Sequence, residues 1–143
     1  MASTALLVAD LMTIDPIVVN VDASLEEAAH LLRAYSIHGL PVIDLDGALV
    51  GVISQTDLLA ADDASVSRLV RGKQSALRVG ELMSSPAVTV PMTGSLDEAA
   101  RLMLDRHVHR VVAIDDAGRP VGVLSSMDFV SLYVEKPTPR LVV

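Results

Sequence analysis

With 143 residues, the chain is long enough for one ordinary domain or two small, mutually dependent ones. Half of it is apolar, yet it holds no Trp, one Phe and two Tyr, so its core must be aliphatic. The lack of cysteine excludes disulfides, thiolate metal sites and a cysteine nucleophile, and a net charge of −7 argues against a general nucleic-acid binder.

The opening MASTALLVADLM has neither the basic residues nor the long apolar run of a signal peptide. No later stretch approaches the ~18 uninterrupted apolar residues of a membrane span. A cytoplasmic protein with no membrane segment is the expectation. IVV (17–19) follows a proline and reads as a short strand. Ser24, with Glu27 three residues on, predicts a capping box, after which Leu25, Ala28, Ala29 and Leu32 fall on one helical stripe. LPVI (40–43) is apolar on both faces and reads as a buried strand. LDG (45–47) is a turn, and ALVGVIS (48–54) is a third strand. That strand ends in Ser54-x-x-Asp57, where a closing helix begins.

The chain then repeats itself. Shifted by 71 residues, Ser24 to Leu59 matches Ser95 to Val130 with 15 identities in 36 positions. SLDEAARLM brings a second box (Ser95, Glu98) and a second stripe (Leu96, Ala99, Ala100, Met103). VHRVVAID answers IHGLPVID, and GVLSSMD (122–128) answers GVISQTD (51–57). Upstream, LMTIDPIVV (11–19) resembles LMSSPAVTV (82–90) with one-residue slips. Two copies are too few for a solenoid and point to a pseudo-symmetric pair. The expected organisation is an α/β (α+β) fold of two βαββα repeats packed through their sheets. The repeats occupy 1–62 and 79–136, with a basic linker at 63–78 and a tail at 137–143. Charge divides unevenly: residues 1–67 carry ten acids and one base, residues 68–143 eight acids and ten bases. A bound anion should therefore find its counter-charge in the second half.

Proline, strand and helix, then a GLPVID-like strand, then Gly-apolar-apolar-Ser-x-x-Asp, all in duplicate, resemble a tandem pair of CBS domains. The resemblance covers about Val8 to Val134. It implies a regulatory, non-enzymatic module whose clefts between repeats bind adenosine-containing ligands, and which commonly assembles in pairs. AMP, ADP or ATP is the expected regulatory ligand, with no cofactor required. S-adenosylmethionine, NAD or a cyclic dinucleotide is an alternative ligand, and a ligand-free dimerisation scaffold is an alternative role. A homodimer and an unidentified target protein are the implied partners.

Two readings of the Ser-x-x-Asp motifs remain open at this point. Ser54 with Asp57, and Ser125 with Asp128, are plausible N-caps with an acid at N3. Yet both copies choose Asp, whose short carboxylate can accept hydrogen bonds from two vicinal ribose hydroxyls. Gly51 and Gly122 would allow close approach by a ligand or a partner strand. The pair His109-Arg110 is similar to that in repeats of the AMP-activated kinase gamma subunit. By that resemblance it reaches the phosphate of a nucleotide whose ribose is held by Asp57 and Ser54 of the other repeat. His38 would join Ser125 and Asp128 in the second cleft, where Gly39 replaces the arginine. Val18 and Val88 are the expected apolar contacts from the first strands. The two clefts should therefore be unequal. His107 and His109, two apart on a strand, lack an evident third metal ligand, and His30 reads as a surface residue. No phosphate loop, nucleophile elbow or acid/base pair is present, so no catalytic residue is expected.

Overall fold

The computed structural model describes residues 6–61 and 77–135; the expected tail and all but the last two residues of the expected linker lie outside them. In the first copy the elements are α1 (Val8–Leu11), β1 (Thr13–Ile14), β2 (Val19–Asn20), α2 (Leu25–Ala34), β3 (Gly39–Ile43), β4 (Leu49–Ser54) and α3 (55–61). The second copy supplies α4 (Val79–Leu82), β5 (Thr89–Pro91), α5 (Leu96–Arg106), β6 (Arg110–Ile114), β7 (Pro120–Ser125) and α6 (Ser126–Glu135). Each copy contains the expected βαββα, preceded by a short helix that the sequence pattern does not announce.

Local chemistry places the boundaries. Ser95 Oγ accepts from Glu98 N–H at 3.0 Å and Glu98 Oε1 accepts from Ser95 N–H at 3.4 Å, completing the box that starts α5. Ser24 Oγ accepts from Glu27 N–H at 3.1 Å, but Glu27 returns no bond among the described residues, so this cap is half of the expected box. The turns are built on aspartates. Asp44 Oδ1 accepts from the N–H of Asp46 and Ala48, and Asp115 Oδ1 from those of Ala117 and Arg119. Gly47 and Gly118 close these turns at φ of 84° and 79°, where a side chain would be strained.

Parallel β2 and β3 pair with Val19 opposite Val42, and β5 and β6 with Val90 opposite Ala113. Both registers differ by the same 71 residues. The chain offset therefore holds through the first strands, and the one-residue slip suggested by the prolines does not extend into them. Asp15, at φ 52°, takes the place that Pro86 holds in the second copy.

The two copies are interlaced. β1 pairs antiparallel with β7 of the second copy, giving a sheet in the order β1-β7-β6-β5 beside a sheet β2-β3-β4. Reciprocally, Ser84 bridges Val52 of β4 through N–H···O bonds of 2.8 and 3.0 Å. Val8, with no exposed surface, packs among Val90, Leu96, Ala99, Met103, Val111, Ala113 and Leu124. Val79, equally buried, packs among Val19, Ala28, Leu32, Leu40, Val42 and Ile53. Each such burial contributes about 1.5–3 kcal/mol, so each copy's lead-in helix stabilises the other copy.

Gly51 and Gly122 stand where these lead-ins cross the sheets. A Cβ on Gly51 would lie 2.6 Å from Met83 Sδ and 2.8 Å from the Ser84 carbonyl oxygen. One on Gly122 would collide with the Met12 sulfur and lie 3.0 Å from the Thr13 carbonyl oxygen. The glycines thus admit a neighbouring strand. Leu49 N–H also donates across the copies to the Gly118 carbonyl at 3.1 Å. Its counterpart Pro120 has no N–H to return the bond.

Candidate functional site

The strand-to-helix corners are capping boxes in both copies. Asp57 Oδ2 accepts from Ser54 N–H at 2.8 Å and from Ser54 Oγ at 3.0 Å, while Ser54 Oγ accepts from Asp57 N–H at 3.2 Å. Asp128 and Ser125 repeat this with 2.8, 3.1 and 3.3 Å. Only one oxygen of each carboxylate is used; the other accepts no hydrogen bond among the described residues. Helix capping and ligand contact are therefore compatible at these positions. The corner is tied back to its own repeat as well: Gln55 N–H donates to the His38 carbonyl and Ser126 N–H to the His109 carbonyl, at 3.0 and 2.9 Å.

Two cavities open where the β3–β4 and β6–β7 hairpins face each other. The first, of about 350 Å³, has Ser54 and Asp57 on one wall, His109 and Arg110 on the other, and Val88 among its apolar contacts. Residues separated by more than fifty positions and belonging to different repeats meet there, in the combination expected from the sequence. The second, of about 340 Å³, brings His38 together with Ser125 and Asp128. Both volumes lie within the ~300–1,000 Å³ of small-molecule sites. His38 Nδ1 lies 3.4 Å from Gln55 Oε1, which holds the ring toward its own repeat.

Two expectations change. Val18 does not line the second cavity; Ile17 does. Aligning the copies on their prolines sets Val18 against Val88, but the strand register makes Ile17 the counterpart of Val88, one residue removed along the strand. Arg110 and His109 are not confined to the first cavity. They line the second too, as do Gly39, Pro41 and Val123, because the cavities adjoin along the start of β3 and β6. Sequence reasoning also missed Asp15, which lines the second cavity alone. Its only signal was an aspartate directly before a proline. Among the described residues, the Arg110 side chain makes no hydrogen bond or ion pair, and no group of three His, Asp or Glu is arranged to hold a metal ion. No described helix is long and apolar enough to cross a membrane.

The family model of the CBS domain matches residues 8–64 and 79–135. A CBS domain-containing protein of Dictyostelium discoideum is 34% identical over 139 residues, covering 93% of this chain and 96% of that protein. The inosine-5'-monophosphate dehydrogenase of Methanocaldococcus jannaschii is 31% identical over 114 residues, 80% of this chain but only 21% of the enzyme. Among solved structures, CBSX2 in complex with AMP superposes with a TM-score of 0.78 at 34% identity, covering 90% of this chain and 96% of that one. The CBS domain pair of protein MJ0100, in complex with 5'-methylthioadenosine and S-adenosyl-L-methionine, gives a TM-score of 0.77 at 29% identity, covering 92% and 98%.

Proposed function

The chain belongs to the CBS domain family as a tandem pair, and from that premise we propose that it is a regulatory module binding an adenosine-containing ligand between its repeats. Binding is transmitted to a target through a homodimer. The observation that carries this reading is the meeting of Ser54 and Asp57 with His109 and Arg110 in one cavity. A carboxylate with a spare oxygen suits the paired hydroxyls of a ribose, and a guanidinium without a partner suits a phosphate. Similar pairs hold AMP in one case, and 5'-methylthioadenosine with S-adenosyl-L-methionine in another, which supports the adenosyl class for this chain. AMP, ADP or ATP fits a cleft that carries a guanidinium.

A second reading has its own observation. Each Ser-x-x-Asp motif is satisfied by its own helix cap, as it would be in a scaffold that binds nothing. Thermal unfolding with AMP, ATP, S-adenosylmethionine, NADH and cyclic di-AMP separates the two. A ligand at about 100 times its dissociation constant stabilises the folded state by about 2.7 kcal/mol. A rise in Tm with an adenosine ligand supports the module; no rise with any of them at millimolar concentration favours the scaffold.

A further inference from the structure

Arg110 occupies an unusual position. It lines both cavities, it is without a partner among the described residues, and its counterpart in the first repeat is Gly39, which also lines both. Two clefts of nearly equal size thus share one guanidinium where strict symmetry would give two. Their carboxylates differ as well. The first cavity has Asp57, whereas the second has Asp128 and, where the first has Pro86, the additional Asp15.

We propose that Arg110 couples the two clefts antagonistically, so that one chain binds a single phosphorylated adenosine ligand, in the Asp57 cleft, and the Asp128 cleft then accepts only a ligand without phosphate. This rests on the adenosyl-ligand reading above. The physical reason is competition for one cation. A guanidinium that grips phosphate oxygens in the first cleft with its planar fork cannot present that fork to the second. Setting the imidazoles aside, the second cleft without Arg110 is lined by two carboxylates and no cation, which repels a phosphate and tolerates a neutral or cationic nucleoside. With the guanidinium free to choose, the first cleft wins, because it opposes the phosphate with one carboxylate instead of two. A single additional charge at this range shifts affinity by about tenfold or more.

Gly39 and Asp15 permit gain-of-function tests. A Cβ at Gly39 would meet the Ile53 carbonyl oxygen at 3.6 Å and Val52 Cγ1 at 3.8 Å, ordinary contact distances, so the backbone accepts a side chain there and Gly39→Arg is the variant that adds a second guanidinium. Asp15 sits at φ 52°, a conformation that asparagine tolerates, so Asp15→Asn removes charge without new strain. Calorimetric titration of the full chain with AMP and with adenosine reads the outcome. The wild type should bind one AMP and two adenosines per chain, and the AMP-saturated protein should still take up one adenosine. Gly39→Arg should raise AMP stoichiometry to two, and Asp15→Asn should strengthen AMP binding at the second cleft about tenfold. Two equal AMP sites in the wild type would overturn the coupling while leaving the ligand class intact. So would unchanged AMP stoichiometry in a folded Gly39→Arg together with unchanged AMP binding at the second cleft of Asp15→Asn. Failure of AMP to bind at all would overturn the coupling, and failure of both AMP and adenosine would overturn the adenosine-nucleotide reading with it.

Discussion

Asp57 closes a helix cap and lines a cleft with the same carboxylate, and the two tasks differ in their energies. Losing the N3 acid of a capping box costs about 0.3–1 kcal/mol of stability. Losing charge-assisted hydrogen bonds to a bound ribose costs about 1.5–3 kcal/mol each. Asp57→Ala should therefore leave a folded protein with a slightly lower Tm, while adenosine affinity at the Asp57 cleft falls at least about tenfold. Normal binding with a much lower Tm would mean that the residue only caps. The glycines make a contrasting pair. Gly51→Ala must push aside a carbonyl oxygen at 2.8 Å and should cost about 1–3 kcal/mol in urea unfolding. Gly39→Ala meets only ordinary contacts and should cost less than about 1 kcal/mol. Equal losses would mean that the crossing strand is not what Gly51 admits. These residue roles were legible unevenly. The family resemblance of the Ser-x-x-Asp corners and of the His109-Arg110 pair implied one cross-repeat cleft, and the split of charge between halves supported it. Asp15 did not, because the neighbouring proline drew the alignment one residue out of register.

At the scale of elements, duplication made helices and central strands readable, since every cap, stripe and turn occurs twice at one offset. The lead-ins were not readable. Helix α1 has four residues and β1 two, too short for any period to show. Nothing local says which sheet so short a strand joins. Their destination is fixed by the two buried valines, the glycine clearings and bonds such as Val8 N–H to the Gly94 carbonyl and Val79 N–H to the Ala23 carbonyl, at 2.8 and 2.9 Å. Each valine contributes to the core of the opposite repeat. Val8→Ala should therefore lower stability by about 2 kcal/mol and raise amide hydrogen exchange mainly in α5 and β6, not in α2 and β3. Exchange raised chiefly in the first repeat would contradict the interlacing.

For the whole molecule, assembly has a surface to work with. Ala28 of α2 and Ala99 of α5 are buried in the cores and cannot contribute to it. Exposed apolar side chains instead gather on the closing helices: Leu59 in α3, and Met127, Val130, Tyr133 and Val134 in α6. A two-fold pairing through these helices would cover them. Equilibrium sedimentation should give a dimer at micromolar concentration, and Val130→Glu should shift it to monomer. A wild-type monomer would remove dimeric signalling from the account without touching the clefts. The central claim, that one ligand spans both repeats, is tested most directly by AMP and adenosine titrations into wild type, Asp57→Ala, Arg110→Ala and the double variant. Asp57→Ala should weaken AMP and one of the two adenosine sites, Arg110→Ala should weaken AMP but spare adenosine, and the double variant should bind AMP no better than adenosine. Arg110→Ala binding AMP as the wild type does, or Asp57→Ala leaving both affinities unchanged, would contradict it.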